Sequence, residues 1–179
     1  MTKASVLRPA VFLDRDGTLM KDVDYCGDPK DVTVFEGAGE ALRRLDQAGY
    51  KLVVITNQSG IGRGYFNEQQ YRSVESELSR QLGEGLIAAT YYCPHLPADK
   101  CQCRKPSAEM VVRASHDLGL DLGRSFFVGD KRTDIECGRN SGVRTILVRT
   151  GYGKQTDPAA ADFVAEDLPA AVQLILNEP

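Results

Sequence analysis

Two carboxylates stand two positions apart where a short apolar run ends, in the segment AVFLDRDGTL. Alternate side chains of an extended chain point to the same face, so Asp14 and Asp16 are expected to share one crevice. Gly17 frees the backbone to turn, and Thr18 can begin a hydrogen-bonded turn. An acidic surface loop is the plain alternative, but the position directly after an apolar run favours two carboxylates acting together.

Further polar groups follow the later apolar runs. They comprise one hydroxyl, three cations and a second carboxylate pair: Thr56, Arg104, Lys105, Lys131, Asp130 and Asp134. The loop TNQSG after the second run also has backbone N–H groups that could converge on an anion. Phosphoryl transfer requires such a set, because a carboxylate nucleophile repels a phosphate dianion unless a cation and Mg2+ neutralise the charge. Mg2+ in turn prefers hard oxygen ligands.

The elements that would position these groups alternate along the chain. Five short apolar or β-branched runs indicate buried parallel strands, at 10–13, 51–56, 86–92, 125–129 and 144–148. Asn67 has the character of a helix N-cap, with Gln70 three residues on, and a single apolar stripe then follows at helical spacing. Its members are Tyr71, Val74, Leu78 and Leu82. Ser107 is expected to cap a second helix, and 40–48 and 168–176 are further helical candidates.

The β-α alternation predicts one doubly wound, Rossmann-like parallel sheet with helices on both faces. We expect a single domain over residues 1–179, which is long enough to bury a core. Ligands of such sheets bind beyond the carboxyl ends of the strands, where the polar segments lie.

Charge and hydropathy limit the partners. A net charge of −3 argues against a surface that wraps nucleic acid. No apolar run approaches the roughly 18 residues of a membrane span, and the first residues lack the apolar centre of a signal peptide. We therefore expect a cytoplasmic monomer that acts on a small molecule, without nucleic-acid or membrane partners.

Three of the five cysteines and one of the two histidines fall within one loop, YCPHLPADKCQC. Cys93, His95, Cys101 and Cys103 form C-x-H and C-x-C, the ligand types of closed, tetrahedral structural zinc. A disulfide and incidental thiols are the alternatives, but a reducing compartment and an odd number of cysteines favour a metal. Catalytic zinc is disfavoured because four protein ligands leave no open coordination position. We expect structural Zn2+ to organise the loop 93–103.

The segments DRDGTL, TNQSG, RKP and GDKRTD, in this order, resemble the four motifs of the haloacid dehalogenase-like phosphatases. The resemblance implies that Asp14 is a nucleophile that forms an aspartyl-phosphate and that Asp16 is the general acid and base. It implies Mg2+ held by Asp14, the backbone carbonyl of Asp16, and Asp130, with Asp134 orienting that shell. It also implies contacts to the phosphoryl group and substrate from Thr56, Asn57, Gln58, Ser59 and Lys105.

About 40 residues separate the first motif from the second, too few for a separately folded cap. The zinc-type loop before RKP, together with DVDY, is similar to the capless branch that contains heptose bisphosphate and histidinol-phosphate phosphatases. That branch implies removal of the C7 phosphate of D-glycero-D-manno-heptose 1,7-bisphosphate, a step that supplies nucleotide-activated heptose for lipopolysaccharide. Histidinol phosphate is the alternative substrate. The same resemblance places Asp22 and Tyr25 against the substrate.

Arg104 favours the bisphosphate, because a guanidinium can grip a second phosphate, whereas the amine of histidinol would be repelled. A solvated side chain, or a structural neighbour of the zinc loop, is the alternative for Arg104. Lys131 is either a substrate contact or a structural partner of Asp134.

A phospho-accepting receiver module also places an Asp cluster, a Thr and a Lys on a doubly wound sheet. Asp16 argues against that module, because a long-lived phosphoryl carrier has no use for an acid-base group.

Overall fold

A computed structural model describes residues 7–178 of the chain. It contains one six-stranded sheet, whose strands are β1 Ala10–Leu13, β2 Lys51–Asn57, β3 Ile87–Cys93, β4 Phe126–Gly129, β5 Arg144–Val148 and β6 Phe163–Ala165. The strand order is β3-β2-β1-β4-β5-β6, and all neighbouring strands are parallel. The order reverses direction between β1 and β4. Crevices for ligands form at such a switch point, so the carboxyl ends of these two strands should carry the site.

The five predicted strands are confirmed to within one residue at each end. The expectation that all five are buried is wrong for β3, which lies at the edge of the sheet with most of its residues only partly buried. The sixth strand, Phe163–Ala165, was not predicted. Its three residues are too few to show a periodicity, and it forms because β5 offers it an edge.

Five α-helices lie between the strands and a sixth follows β6: α1 Ala38–Gln47, α2 Ser59–Gly62, α3 Glu68–Leu82, α4 Glu109–Leu118, α5 Arg132–Asn140 and α6 Leu168–Asn177. Short 3-10 helices lie at Pro29–Asp31, Pro97–Asp99, Leu122–Arg124 and Pro158–Ala160. Asn67 and Gln70 form the predicted capping box of α3, and its predicted apolar stripe is buried. Ser107 does not occupy the cap position of α4, which falls at Ala108, although its hydroxyl accepts a hydrogen bond from the Glu109 N–H at 3.2 Å.

Helices cover both faces of the sheet. Along β1, Val11 and Leu13 point into a core shared with α1, α3 and α6, whereas Ala10 and Phe12 point into a core shared with α4 and α5. All four side chains are fully buried. A strand packed on both faces cannot shift without exposing apolar surface, so the residues that follow β1 have a well-defined position.

The segment between β1 and β2 holds only the 3-10 helix Pro29–Asp31 and α1, and α1 packs on the sheet. The sheet edge above the strand ends is therefore open along this segment, as expected for a chain without a cap. Within residues 7–178, the helices are too short or too polar to span a lipid bilayer.

Candidate active site

Three carboxylates meet at the switch point of the sheet. Asp14 follows β1, Asp130 follows β4, and Asp134 lies in the first turn of α5. Each offers an oxygen within 4.8 Å of the other two, and all three residues are at most 5% exposed. Asp130 Oδ2 accepts a hydrogen bond from the Tyr152 N–H at 2.8 Å. Asp130 Oδ1 is buried and has no hydrogen-bond partner among the described residues.

This crowding raises the carboxyl pKa values. Burial, followed by the charge of Asp134, raises the pKa of Asp14 to about 6. Burial, followed by the charges of Asp14 and Asp134, raises the pKa of Asp130 to about 8. Like charges forced together out of water need a cation. The oxygen-only donor set and the unpartnered Asp130 Oδ1 fit Mg2+, which binds hard oxygen ligands.

Lys105 supplies one cation from within the site. Its ammonium Nζ lies 2.6 Å from Asp14 Oδ1 and 2.7 Å from Asp134 Oδ1, and it donates to the Ile55 carbonyl at 2.8 Å. Burial alone would lower the pKa of Lys105, but Asp134 and Asp14 outweigh burial and raise it. Asn57 aligns the lysine, because its side chain accepts from the Lys105 N–H at 3.0 Å and donates to the Lys105 carbonyl at 3.3 Å. The lysine is therefore charged and well positioned.

Only glycine fits at Gly17, because a residue with a side chain would collide with its neighbours. Its φ is 92°, and a Cβ atom at this position would collide with the Asp130 carboxylate. The turn after Asp14 can approach the carboxylates only because the residue is glycine.

Arg15, which was not predicted as a site residue, has a fully buried side chain. It donates to both oxygens of Asp16, at 3.0 Å from Nε and 3.1 Å from Nη2. Nη1 donates to Glu75 Oε1 on α3 at 3.0 Å. Asp16 is therefore held in a forked, charge-assisted pair. Nothing local in the sequence distinguishes this arginine from a solvated one.

Gln58 joins Asp16 to Thr56. Its Nε2 donates to Asp16 Oδ2 at 2.9 Å and to Thr56 Oγ1 at 2.8 Å, and its Oε1 accepts from Arg15 at 3.0 Å. The Gln58 backbone N–H donates to the Cys93 carbonyl at 2.7 Å. That amide is already engaged within the protein, contrary to the expectation that the loop amides together face an anion.

A cleft of about 490 Å3 opens above these groups. The sequence-predicted residues on its walls are Asp14, Asp16, Asp22, Tyr25, Thr56, Asn57, Gln58, Ser59, Arg104, Lys105, Lys131 and Asp134. Asp130 is fully buried beside Asp14 and Asp134 rather than on the cleft wall. The structure thus brings the residues of all four motifs to one place.

Two further cations, Arg104 and Lys131, line the cleft. Arg104 Nη1 donates to the His95 carbonyl at 3.2 Å, which attaches the arginine to the cysteine-rich loop. Lys131 Nζ lies 3.1 Å from Asp22 Oδ2. Lys131 contacts Asp134 through its backbone N–H, which donates to Asp134 Oδ2 at 3.0 Å, and its side chain makes no ion pair with that carboxylate. The ammonium is thus left on the cleft side.

A loop after β5 that sequence reasoning missed also belongs to the site. Thr150 Oγ1 donates to the Gly17 carbonyl at 2.7 Å, and Thr156 Oγ1 donates to the Asp130 carbonyl at 2.9 Å. Tyr152 lines the cleft, with its ring 4.7 Å from Lys131 Nζ. The GYG segment was the available signal, because Gly151 has φ 51° and a Cβ there would collide with Asp130.

The predicted zinc ligands converge at the ends of their loop. Cys93 Sγ lies 3.5 Å from both His95 Nδ1 and Cys101 Sγ. Cys103 Sγ lies 3.3 Å from His95 Nδ1 and 3.6 Å from Cys101 Sγ. A tetrahedron with Zn–S bonds of about 2.3 Å and Zn–N bonds of about 2.0 Å has edges of roughly 3.5–3.8 Å, so the cluster fits zinc. The three cysteines of this loop, Cys93, Cys101 and Cys103, are all free, so the loop contains no disulfide.

Comparison with known proteins supports the resemblance to haloacid dehalogenase-like phosphatases that the four motifs indicate. A family model described as HAD-hydrolase-like matches residues 102–171. D-glycero-beta-D-manno-heptose-1,7-bisphosphate 7-phosphatase of Haemophilus ducreyi is 46% identical over 154 residues, which cover 80% of this chain and 85% of that protein. D-glycero-D-manno-heptose-1,7-bisphosphate 7-phosphatase of Thermosynechococcus vestitus is 38% identical, over 94% of this chain and 95% of that protein.

A solved structure extends the similarity to the whole fold. The D,D-heptose 1,7-bisphosphate phosphatase from B. bronchiseptica, complexed with magnesium and phosphate, superposes with a TM-score of 0.88. It is 33% identical in sequence, and the match covers 96% of this chain and 99% of that chain.

Proposed function

This chain belongs to the haloacid dehalogenase-like heptose bisphosphate phosphatases, and we propose that it removes the C7 phosphate of D-glycero-D-manno-heptose 1,7-bisphosphate to leave heptose 1-phosphate. One observation carries the proposal. A buried lysine lies between two carboxylates at the switch point, and two more cations line the same cleft. The inner groups suit the phosphate that is cleaved, and the outer cations suit a second phosphate.

Asp14 would attack the phosphorus and form an aspartyl-phosphate, which splits hydrolysis into two easier displacements. Lys105 restrains the Asp14 carboxylate through Oδ1 and lowers the repulsion of an incoming phosphate. Asp14, Asp130 and the Asp16 carbonyl would hold Mg2+, with Asp134 orienting that group. When bound, Mg2+ neutralises charge on the phosphoryl oxygens.

Asp16 would protonate the leaving sugar oxygen and later take a proton from the attacking water. Arg15 and Gln58 restrict its carboxylate to one orientation, since both of its oxygens accept hydrogen bonds. Gln58 also orients the Thr56 hydroxyl, which we expect to contact the transferring phosphoryl group together with Asn57 and Ser59. A preorganised donor set of this kind stabilises developing charge without reorganisation.

Substrate selection would fall to the outer part of the cleft. Arg104 and Lys131 provide positive charge for the C1 phosphate, while Asp22 and Tyr25 provide hydrogen-bonding and apolar surface for the sugar. Histidinol phosphate carries an amine in place of the second phosphate, and these cations would repel it. The named relatives likewise favour the heptose substrate over histidinol phosphate and over a receiver module.

We further propose that Zn2+ bound by the Cys3His cluster holds residues 93–103 together and thereby orders Arg104 and Lys105, which follow directly. Free thiols suit a reducing compartment, so we place the enzyme in the cytoplasm, in the supply of activated heptose for surface polysaccharide. We expect one domain over 1–179 that acts as a monomer.

The deciding experiment measures phosphate release with Mg2+ from both anomers of heptose 1,7-bisphosphate and from histidinol phosphate. We expect the kcat/KM for at least one anomer of the bisphosphate to be far higher than the kcat/KM for histidinol phosphate. Faster hydrolysis of histidinol phosphate would overturn the proposed substrate. A phosphoryl-Asp that persists for minutes without turnover would instead support the receiver module.

A further inference from the structure

Tyr152 contacts Asp130, one of the three clustered carboxylates, and Lys131, one of the outer cations of the cleft. Its backbone N–H donates to Asp130 Oδ2 at 2.8 Å. Its ring face lies 4.7 Å from the Lys131 ammonium, and the residue is 42% exposed on the cleft wall. Neither the four motifs nor the proposed chemistry uses this side chain.

The loop that carries Tyr152 is anchored on both sides of the ring. Thr150 Oγ1 donates to the Gly17 carbonyl at 2.7 Å, and Thr156 Oγ1 donates to the Asp130 carbonyl at 2.9 Å. Gly151 packs so closely on Gly17 and Asp130 that a Cβ atom would not fit. The position of the ring is therefore tied to the groups that surround the cleaved phosphate.

The Lys131 ammonium lies between two partners of different kinds. Asp22 Oδ2 is 3.1 Å from Nζ, and the Tyr152 ring covers another side. An arriving phosphate competes with Asp22 for the ammonium, because both are anions. It does not compete for the ring face, which attracts the cation through its quadrupole and remains in place. The ring can thus hold a flexible lysine while its carboxylate partner is exchanged.

We propose that Tyr152 is a positioning residue that sets the place of the Lys131 ammonium and so determines how strongly a substrate with a second phosphate is preferred. The inference rests on the proposed function. The anchored loop holds this ammonium at a defined distance from the cleaved phosphate, which selects substrates by the separation of their two phosphates. The aromatic face carries the effect, and the phenolic hydroxyl does not.

The test compares wild type, Tyr152→Phe and Tyr152→Leu on heptose 1,7-bisphosphate and on heptose 7-phosphate, at saturating Mg2+. The readout is the ratio of the two kcat/KM values, which does not depend on the active fraction of a preparation. We expect Tyr152→Leu to lower this ratio roughly 2- to 5-fold, mainly through the KM of the bisphosphate, as the loss of one exposed cation–π contact predicts. Tyr152→Phe should retain the wild-type ratio.

A double-mutant cycle with Lys131→Met shows whether the effect passes through the lysine. We expect Tyr152→Leu to leave the ratio unaltered once Lys131 is replaced, whereas additive losses would overturn the inference. An equally low ratio in Tyr152→Phe would overturn it too. If wild type has no preference for the bisphosphate, the proposed function fails and this inference fails with it. If wild type has the preference and Tyr152→Leu retains it, only this inference fails.

Discussion

Replacing Lys105 by Met removes the buried cation while keeping a side chain of similar length. The lysine is 3% exposed, and its ammonium lies 2.6 Å from Asp14 Oδ1 and 2.7 Å from Asp134 Oδ1. The variant leaves these two carboxylates facing each other, close to Asp130, with only the more distant charge of Lys131 to offset them. We therefore expect a large loss of stability as well as a loss of phosphate release.

The size of the loss follows from the burial. Removing one partner of a buried ion pair costs about 3–5 kcal/mol of unfolding free energy, because the remaining charge is desolvated without compensation. With an unfolding entropy of about 2.1 cal/mol/K per residue, a chain of 179 residues loses about 2.7 °C per kcal/mol, so Tm should fall by about 8–13 °C.

The loss should depend on pH. Burial and Asp134 already raise the pKa of Asp14 to about 6, and Lys105 opposes this rise, so the variant raises it further. A carboxyl whose pKa is higher in the folded protein than in the unfolded chain binds protons more tightly when folded. Its stability contribution is therefore retained at low pH and lost as the pH rises towards the folded-state pKa. The cost of Lys105→Met should accordingly be smaller near pH 5 than near pH 8.

Thermal unfolding followed by circular dichroism, without Mg2+, measures this difference at about pH 5 and about pH 8. Lys131→Met is the control, because among the described residues its ammonium forms an ion pair only with Asp22, its other contact is the Tyr152 ring, and its side chain is 37% exposed. Such a pair contributes roughly 0.2–1 kcal/mol, which corresponds to a fall in Tm of about 1–3 °C. A Lys105→Met variant that falls no further than this control at the higher pH, or equally far at both pH values, would refute the reasoning.

Other perturbations test the proposed nucleophile, the Mg2+ site and the zinc cluster separately. Asp14→Asn should reduce phosphate release to background with little change in the circular-dichroism melting curve, because Lys105 keeps a second carboxylate partner; substantial residual turnover would remove Asp14 from the nucleophile role. Mg2+ should raise Tm more at about pH 8 than at about pH 5, because burial raises the pKa of Asp130 to about 8 and protons compete with the metal below it; equal stabilisation at both pH values would contradict this. Cys101→Ser should lose bound zinc in elemental analysis, and an unchanged zinc content would count against the zinc clip.

Much of the site was predictable because its signals are local. An apolar β-branched run followed by polar residues marks a strand end whatever the rest of the fold, and the ends of β1, β2 and β4 were located in this way. The C-x-H and C-x-C spacing likewise brings its four ligand atoms together within one short loop. Parallel strands then place their carboxyl ends at one edge, so the clustering of the motifs followed from the fold class.

The partners of the buried charges depended on the tertiary structure. Arg15 pairs with Glu75 from another helix, and Lys131 pairs with Asp22, a residue 109 positions away. An arginine or lysine has the same local sequence whether it is solvated or enclosed, because its burial is set by elements that pack over it from elsewhere in the chain.

The ring of Tyr152 reaches the cleft for the same reason. The strand order places β4 beside β1, and the loop after β5 then folds back over Gly17 and Asp130. The sequence by itself determined which chemical groups are present and at which edge of the sheet they lie. Only the packing of distant segments decided which charges are neutralised inside the protein and which remain available to a substrate, because those pairings depend on distances that local spacing does not encode.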